Sequence, residues 1–435
     1  MSAEQVRGKG ARDGAVSECR RLEGRCRTHL TFLPAPFTVF ETFQIFCIII
    51  LNISKFYLKE FIKIKKIAKF TNILAALTLV LALAACSKET EEDKTPKELS
   101  EVASKVELKN INNVYFLEFT GDYGIEDAAK ADLTTEEELR TYLTNNVPAW
   151  ITAAGEGLSL PVNITGAGCT SIAANNTGKA GGKIFGRNFD YSNGTAVVVH
   201  TKPTDGYESV STSYPYFLTG SRNWEPTNNV ETDAIIVGAI YVPMDGMNTE
   251  GLYVSILEAG DKETTAQTEA NKNNIQTTVA VRYLLDKANS VDTALTMLAG
   301  FNMYSVHGTA YHFALADKTG KSVVVEYIKN EMKVTETKVV TNHYLTENSG
   351  KTAPNSDDNS LLRYNNAIKA GNDAEWNMSP VQMKDALKVT GAKQYADENS
   401  THISIWSAIY EPSAKKVSYF FGEDFTKYSE ITFGN

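Results

Sequence analysis

From Ser87 to the C-terminus the sequence holds one cysteine, Cys169. The other four, Cys19, Cys26, Cys47 and Cys86, lie in or before an apolar leader. A disulfide within the body is thereby excluded, and so is a Cys-rich metal site. Long apolar runs are scarce as well. The stretch Ile73–Ala85 falls short of the roughly 20 residues that a bilayer-crossing helix needs. Basic charge is short in the body, with 30 Lys and Arg against 46 Asp and Glu from Ser87 onward, although the whole chain carries a formal charge of only -9. A surface this acidic repels phosphate backbones, which argues against a nucleic-acid partner. What is present is ordinary: 435 residues, 43% hydrophobic and 22% charged. That composition excludes wholesale disorder, a collagen-like chain and a polytopic membrane protein, and the length suits two or three average domains or one large catalytic domain behind a leader.

The leader has the grammar of an export signal. A basic stretch, Lys59–Lys69, precedes the apolar run, which ends in Leu83-Ala84-Ala85-Cys86. A cationic region, a short apolar region and small residues before a cut describe a secretory signal peptide. The ending resembles a bacterial lipobox, in which the cysteine, here Cys86, is lipidated and becomes the mature N-terminus. Residues 59–86 are thus expected to be a lipoprotein signal peptide, with residues 87–100 a solvated Glu/Lys/Thr/Asp linker. The expected location is the bacterial cell envelope, with the protein lipid-anchored on the periplasmic side or at the surface. No methionine occurs between Met1 and Met244. Residues 1–58 are therefore expected either to precede the true translation start, near Leu58 or Ile64, or to be disordered.

Along the body, Val114–Phe119 has the aromatic and aliphatic density of a strand. Thr134-Thr135-Glu136-Glu137 has the form of a capping box opening a helix to about Asn145. From Cys169 the texture is strands and turns: Cys169–Ala174, Lys183–Tyr191, Thr195–Lys202, Ala234–Tyr241 and Leu252–Leu257 as strands, with a polar turn at Asp245–Gly251. Helical periodicity follows at Val279–Lys287 and Val291–Leu298. The hairpin signal Asp317–Gly320 joins strands Tyr311–Ala316 and Lys321–Ile328, and a further pair lies around Glu331–Asn342. Helices Leu361–Lys369 and Pro380–Leu387 precede closing strands Ile403–Tyr410 and Lys416–Phe421. This order predicts α+β layers.

A nucleophilic cysteine needs a base. The five histidines of the body, His200, His307, His312, His343 and His402, sit in no recognisable cysteine-protease signature. A second solution takes the base from the nucleophile's own α-amine, whose pKa near ~8 is close to that of a thiol. It requires Cys169 to become a chain terminus, and Gly166-Ala167-Gly168 before it is small and flexible.

At this point the residues carry a resemblance. Gly168-Cys169-Thr170-Ser171-Ile172, with Phe185-Gly186-Arg187-Asn188-Phe189-Asp190-Tyr191, resembles the opening of the linear-amide Ntn hydrolases. That group includes the choloylglycine (bile salt) hydrolases, N-acylethanolamine acid amidase, acid ceramidase and the penicillin-side acyltransferases. Asp245-Gly246-Met247-Asn248-Thr249-Glu250-Gly251-Leu252 is similar to a second block of the group. Val340-Thr341-Asn342 and Leu362-Arg363-Tyr364 are similar to a third and fourth, and Ile405-Trp406-Ser407-Ala408 is typical near the end.

The resemblance implies an αββα four-layer Ntn sandwich over residues 169–435, preceded by a propeptide or N-terminal subunit at 101–168 that is cut before Cys169 and stays associated. It implies Cys169 as nucleophile with its freed amine as base, Asp190 holding that amine, and Arg187 beside the thiol. Asn342 would donate to the oxyanion, together with the backbone N–H of Glu258, and Arg363 would be a supporting charge. Glu258 stands where bile salt hydrolases have Asn, which tilts the substrate toward the acid-amidase and ceramidase branch. The implied activity is hydrolysis of small-molecule N-acyl amides, conjugated bile salts or fatty amides, through a thioester, with no metal or organic cofactor. An acyltransferase of the same group, and a non-catalytic surface-binding lipoprotein on the same fold, are the alternatives; homo-oligomerisation stays open. Each residue also has a structural reading: a buried thiol, an Arg187–Asp190 ion pair, a turn at Asn342, a solvated charge at Arg363. Tyr207, Tyr214, Tyr216, Phe217 and Trp224 line an acyl pocket or cover the core.

Overall fold

Short runs rich in Val, Ile and aromatic residues, such as Val114–Phe119 and Tyr311–Ala316, form many of the strands among the described residues. The computed structural model describes residues 114–146, 168–222, 224–225, 234–259, 265–305, 309–346, 358–395 and 402–434. The expected signal peptide at 59–86, its expected lipidation site Cys86 and the expected linker at 87–100 lie outside these residues. In chain order the strands begin with β1 (Val114–Thr120), β2 (Gly168–Asn176), β3 (Lys183–Ser192), β4 (Ala196–Lys202), β5 (Ser209–Ser213), β6 (Pro243–Asn248) and β7 (Tyr253–Glu258). They continue with β8 (Asn273–Gln276), β9 (Phe301–Tyr304), β10 (Tyr311–Ala316), β11 (Ser322–Ile328), β12 (Glu331–Glu336) and β13 (Val339–Val340). The last are β14 (Asn377–Met378), β15 (His402–Glu411), β16 (Lys416–Phe421) and β17 (Ser429–Thr432). The helices are α1 (Ile125–Lys130), α2 (Glu136–Asn146), α3 (Tyr216–Thr219), α4 (Thr277–Lys287), α5 (Val291–Ala299), α6 (Asn359–Asp373) and α7 (Pro380–Val389).

Among the described residues one sheet runs β1-β4-β5-β6-β7-β10-β11-β12 and a second runs β13-β2-β3-β15-β16-β17, with β14 beside β2. The strand period of two sorts side chains between layers. On β2 and β3, Cys169, Ala173, Phe185 and Phe189 enter the core between the sheets, while Ile172, Ala174 and Ile184 meet Ala367 of α6 and Met383, Ala386 and Leu387 of α7. Helix α4 packs on β6 and β7, on the far side of the first sheet. The result is the expected αββα sandwich. Close layer contact bears on one motif glycine: a Cβ on Gly186 would lie 2.5 Å from Met383 Sδ, so a larger residue there would have to displace the Met383 side chain packed between α7 and β3.

The segment before Cys169 is built into this sandwich. β1 pairs in parallel with β4, Val114 opposite Ala196 through Thr120 opposite Lys202. It buries Tyr115 and Leu117, and α1 and α2 add Ile125, Ala128, Leu139 and Leu143 to the same core. The Tyr123 hydroxyl donates to Asp286 on α4.

Three expectations need correction. Ala234–Tyr241 is a 3-10 helix rather than a strand, because a short apolar run has no period that separates the two. Asp245–Gly251 is not a turn throughout: its first part is the fully buried strand β6, paired with β5 and β7, and the reversal is confined to the residues between Asn248 and Leu252. Its polar residues are tolerated there because each is bonded; Asn248 Nδ2, for instance, donates to the Leu285 and Ala288 carbonyls. The capping box is one residue later than expected: the Thr135 hydroxyl accepts from the Glu138 N–H, and the Glu138 carboxylate accepts from the Thr135 N–H. Strand β5, Ser-Val-Ser-Thr-Ser, is fully buried yet had no apolar signature to announce it.

Candidate active site

Strands β2 and β3 are antiparallel neighbours, with Gly168 opposite Asp190, Cys169 opposite Phe189 and Ser171 opposite Arg187. Cys169, Ser171 and Arg187 thus share the face toward the first sheet, where the Ser171 hydroxyl meets the Tyr253 hydroxyl at 3.0 Å. Thr170 and Asp190 share the face toward α6. Arg187 and Asp190 are therefore not an ion pair with each other, because their side chains leave opposite faces of one strand.

Cys169 is a buried free thiol. Its backbone is gripped on both sides. The N–H donates to Asn342 Oδ1 at 2.6 Å, and the carbonyl accepts from Arg363 Nη1. Arg363 also donates to Asn342 Oδ1 at 2.7 Å, to the Thr170 hydroxyl at 3.2 Å and to Asn359 Oδ1 at 2.6 Å. It is buried and points inward from α6, so the solvated-charge reading fails. Asn342 Nδ2 donates to the Glu258 carbonyl at 2.7 Å, and the Asn342 N–H donates to Ser360 Oγ at 2.7 Å. Here, then, the Asn342 amide nitrogen meets the backbone of Glu258 itself. The Glu258 carboxylate accepts from the Thr309 hydroxyl at 3.3 Å.

Arg187 is fully buried, with Nε 3.2 Å from Asp245 Oδ2 and Nη2 donating to the Ile256 carbonyl at 2.9 Å. Its Nη1 has no hydrogen-bond partner among the described residues. Asp245 Oδ2 accepts as well from Trp406 Nε1 at 2.9 Å, and Oδ1 from the Tyr410 hydroxyl. Burial pushes the Cys169 thiol up from its ordinary pKa; the charges of Arg187 and Arg363 pull it down without reversing the direction.

Asp190 is the anomaly. Its Oδ1 accepts from Ser404 Oγ at 2.6 Å, while Oδ2, buried, has no partner among the described residues. That oxygen points at the chain just before Cys169: a Cβ on Gly168 would lie 2.9 Å from it. Burial raises the carboxyl to about 6, against the opposing charge of Arg363 and the Ser404 hydrogen bond. The acid is thus held more protonated folded than unfolded. Its contribution to stability is intact below about pH 4 and is lost as pH rises through about 6, a fall of about 3 kcal/mol. In an uncut Cys169→Ala chain, Asp190→Asn is expected to remove that fall. Urea unfolding of the two chains at a series of pH values reads it, and parallel stability curves would refute it.

All six residues singled out in the sequence meet here. Asp245, Ser404 and Ser360 were not foreseen. Asp245 and Ser404 lie in or beside quoted blocks, whereas Ser360 has no local signal, since a lone serine on a helix looks like any other. Of the aromatic residues, Tyr214 and Phe217 belong to the core, and Tyr216 and Trp224 pack against it. Among the described residues no three His, Cys, Asp or Glu side chains are grouped to hold a metal ion, and no helix is long and apolar enough to cross a membrane.

The profile of the acyl-coenzyme A:6-aminopenicillanic acid acyl-transferase family matches residues 177–425. The chain belongs to that family. The acyl-transferase match takes in Arg187, Asp190, Glu258, Asn342 and Arg363, and begins shortly after Cys169. Solved structures with similarity include a mutant form of conjugated bile acid hydrolase from Clostridium perfringens, 14% identical, covering 61% of this chain and 92% of that one, with a TM-score of 0.43. A second variant of the same hydrolase gives 14% identity, 61% and 92% coverage and a TM-score of 0.42. Penicillin V acylase from Agrobacterium tumefaciens is 17% identical, covering 58% and 83%, with a TM-score of 0.39. No curated protein matches the chain.

Proposed function

We propose that this acyl-transferase family member is a cysteine amidohydrolase that cuts itself before Cys169 and then cleaves the linear amide of N-acyl conjugates. The observation that carries the reading is the buried, unpartnered Asp190 oxygen beside Gly168. Burying an unpaired carboxylate is costly, and a new ammonium at Cys169 would pair it. In the self-cleavage the Cys169 thiolate attacks the Gly168 carbonyl and the peptide C–N bond breaks as the nitrogen takes a proton. Water then hydrolyses the thioester, leaving a Gly168 carboxylate and a free Cys169 amine.

On a substrate the same thiolate attacks the amide carbonyl. The α-amine, having taken the thiol proton, delivers it to the leaving amine, and water attacking the thioester completes the turnover with the amine as base. Arg187 stabilises the thiolate by charge, Asp190 orients the ammonium, and Asn342 with the backbone of Glu258 forms the pocket for the oxyanion. Arg363 holds Cys169 and Asn342 in register. The acyl part is steroidal or fatty and the amine a small amino acid or ethanolamine. Transfer of the acyl group to an amine instead of water is the second reading, supported by the family's description.

The proposal extends to the cell. The protein is lipid-anchored at Cys86 in the bacterial envelope, and the piece ending at Gly168 stays bound through β1, α1 and α2. Intact mass and N-terminal sequencing of full-length protein from bacterial membranes is expected to find two co-purifying pieces, an acylated one starting at Cys86 and one starting at Cys169. Incubation with glycine-conjugated bile salts and fatty amides, with and without added amines, then separates hydrolysis from transfer. One uncut chain without amide turnover would refute the amidase reading.

A further inference from the structure

Asn342 lies just past β13, a strand of two residues that pairs Val339 with Ile172 and Val340 with Ser171. Beyond Val340 the described ladder gives the chain no further strand pairing, yet Asn342 must be held against both Cys169 and Glu258. Ser360 on α6 supports it from one side. From the other side, two buried side chains reach over from the first sheet: His312 on β10 and Glu326 on β11.

His312 Nε2 donates to the Thr341 carbonyl, the residue before Asn342, at 2.7 Å. The Glu326 carboxylate accepts from the Leu345 N–H through Oε1 and from the Thr346 N–H through Oε2, both at 2.8 Å. His312 Nδ1 and Glu326 Oε1 are 3.3 Å apart, which ties the two anchors together. A carbonyl only accepts, so the ring nitrogen that faces Thr341 is the donor of that bond. Burial alone would raise the Glu326 carboxyl, but His312, the Thr346 side chain and the Leu345 N–H outweigh it and hold the group down to about 2.

Two polar side chains buried this deeply are costly unless each polar atom has its partner. Here the partners are backbone groups of one segment, Thr341–Thr346, bracketing Asn342. We infer that His312 and Glu326 are positioning residues: they clamp this segment at both ends and so fix the Asn342 amide against Cys169 and Glu258. Neither touches the reacting atoms. The inference rests on the reading of Asn342 as part of the reaction site.

Two measurements on the full-length chain test it. Hydrogen exchange of Leu345 and Thr346 is expected to quicken about 10-fold in Glu326→Gln and His312→Asn, as backbone hydrogen bonds of the segment are lost. In the same variants kcat for amide turnover is expected to fall about 100-fold while KM stays within about two-fold, because a misplaced group costs rate rather than binding. His312→Gln places an amide near the former Nε2 position; it is expected to keep the Thr341 bond and kcat within about three-fold of wild type. Unchanged exchange in His312→Asn, or quickened exchange with unaltered kcat, overturns the clamp, as does a His312→Gln no better than His312→Asn. Should Glu326→Gln fail to fold, the two His312 variants decide alone. The exchange arm needs no substrate, so a wild-type chain that cleaves no amide counts against the amidase reading and leaves the clamp to be judged by exchange.

Discussion

Cys169→Ala is expected to yield a single uncut chain and to lose amide turnover by at least ~10^4-fold, the scale seen when a catalytic nucleophile is removed. Two separate reactions fail for one reason, since the same sulfur attacks the Gly168 carbonyl once and the substrate carbonyl at every turnover. The fold should survive. Cys169 is a small buried side chain, and its backbone partners Asn342 and Arg363 bind the N–H and carbonyl, which alanine keeps. The cost is about 1 kcal/mol of lost packing. Intact mass gives the first outcome and product assay the second. A Cys169→Ala chain cut at the same bond would show that another protease does the cutting. Undiminished turnover would remove Cys169 from the chemistry altogether.

The second large effect concerns Arg187 and Asp245. Arg187→Met is expected to destabilise the fold by about 3–5 kcal/mol, because it leaves the buried Asp245 carboxylate with only Trp406 and Tyr410 as donors. Asp245→Asn should cost a similar amount by stranding the guanidinium. Replacing both removes the charge from both sides, so the Arg187→Met/Asp245→Asn chain is expected to recover most of the loss. Activity should not return with stability, since the cation beside the Cys169 thiol is still missing and burial then pushes that thiol higher. Urea unfolding of the four proteins closes the cycle. Additive losses in the double variant would mean that the pair is not coupled. Recovery of turnover along with stability would mean that Arg187 serves the fold alone.

Asp245 also shows where reading the sequence reached its limit. The block Asp245–Leu252 was recognisable, yet its polar residues suggested a turn over Asp245–Gly251. In the folded protein β6 runs through the middle of the first sheet, and Asp245 is accepted there because Arg187, Trp406 and Tyr410 converge on it from β3 and β15. Ser209–Ser213 was silent for the same reason: its hydroxyls are satisfied by Thr201 on the neighbouring strand, by the Ala239 carbonyl and by Tyr419, none of them within the segment itself. By contrast Tyr311–Ala316 and Lys416–Phe421 carry enough aliphatic and aromatic side chains that both were bounded correctly.

The sequence by itself determined the succession of strands and helices and the single thiol of the body, because apolar period and composition are local properties; the set Cys169, Arg187, Asp190, Glu258, Asn342 and Arg363 came from the resemblance of its motifs to a known family. Only the tertiary structure decided which partner each of these residues has. It turned Arg187 toward Asp245 and Asp190 toward Gly168, drew Arg363 inward to Cys169, and set His312 and Glu326 behind Asn342. Those choices depend on which strand lies beside which and on what burial does to an unpaired charge, and neither is written in any stretch of neighbouring residues.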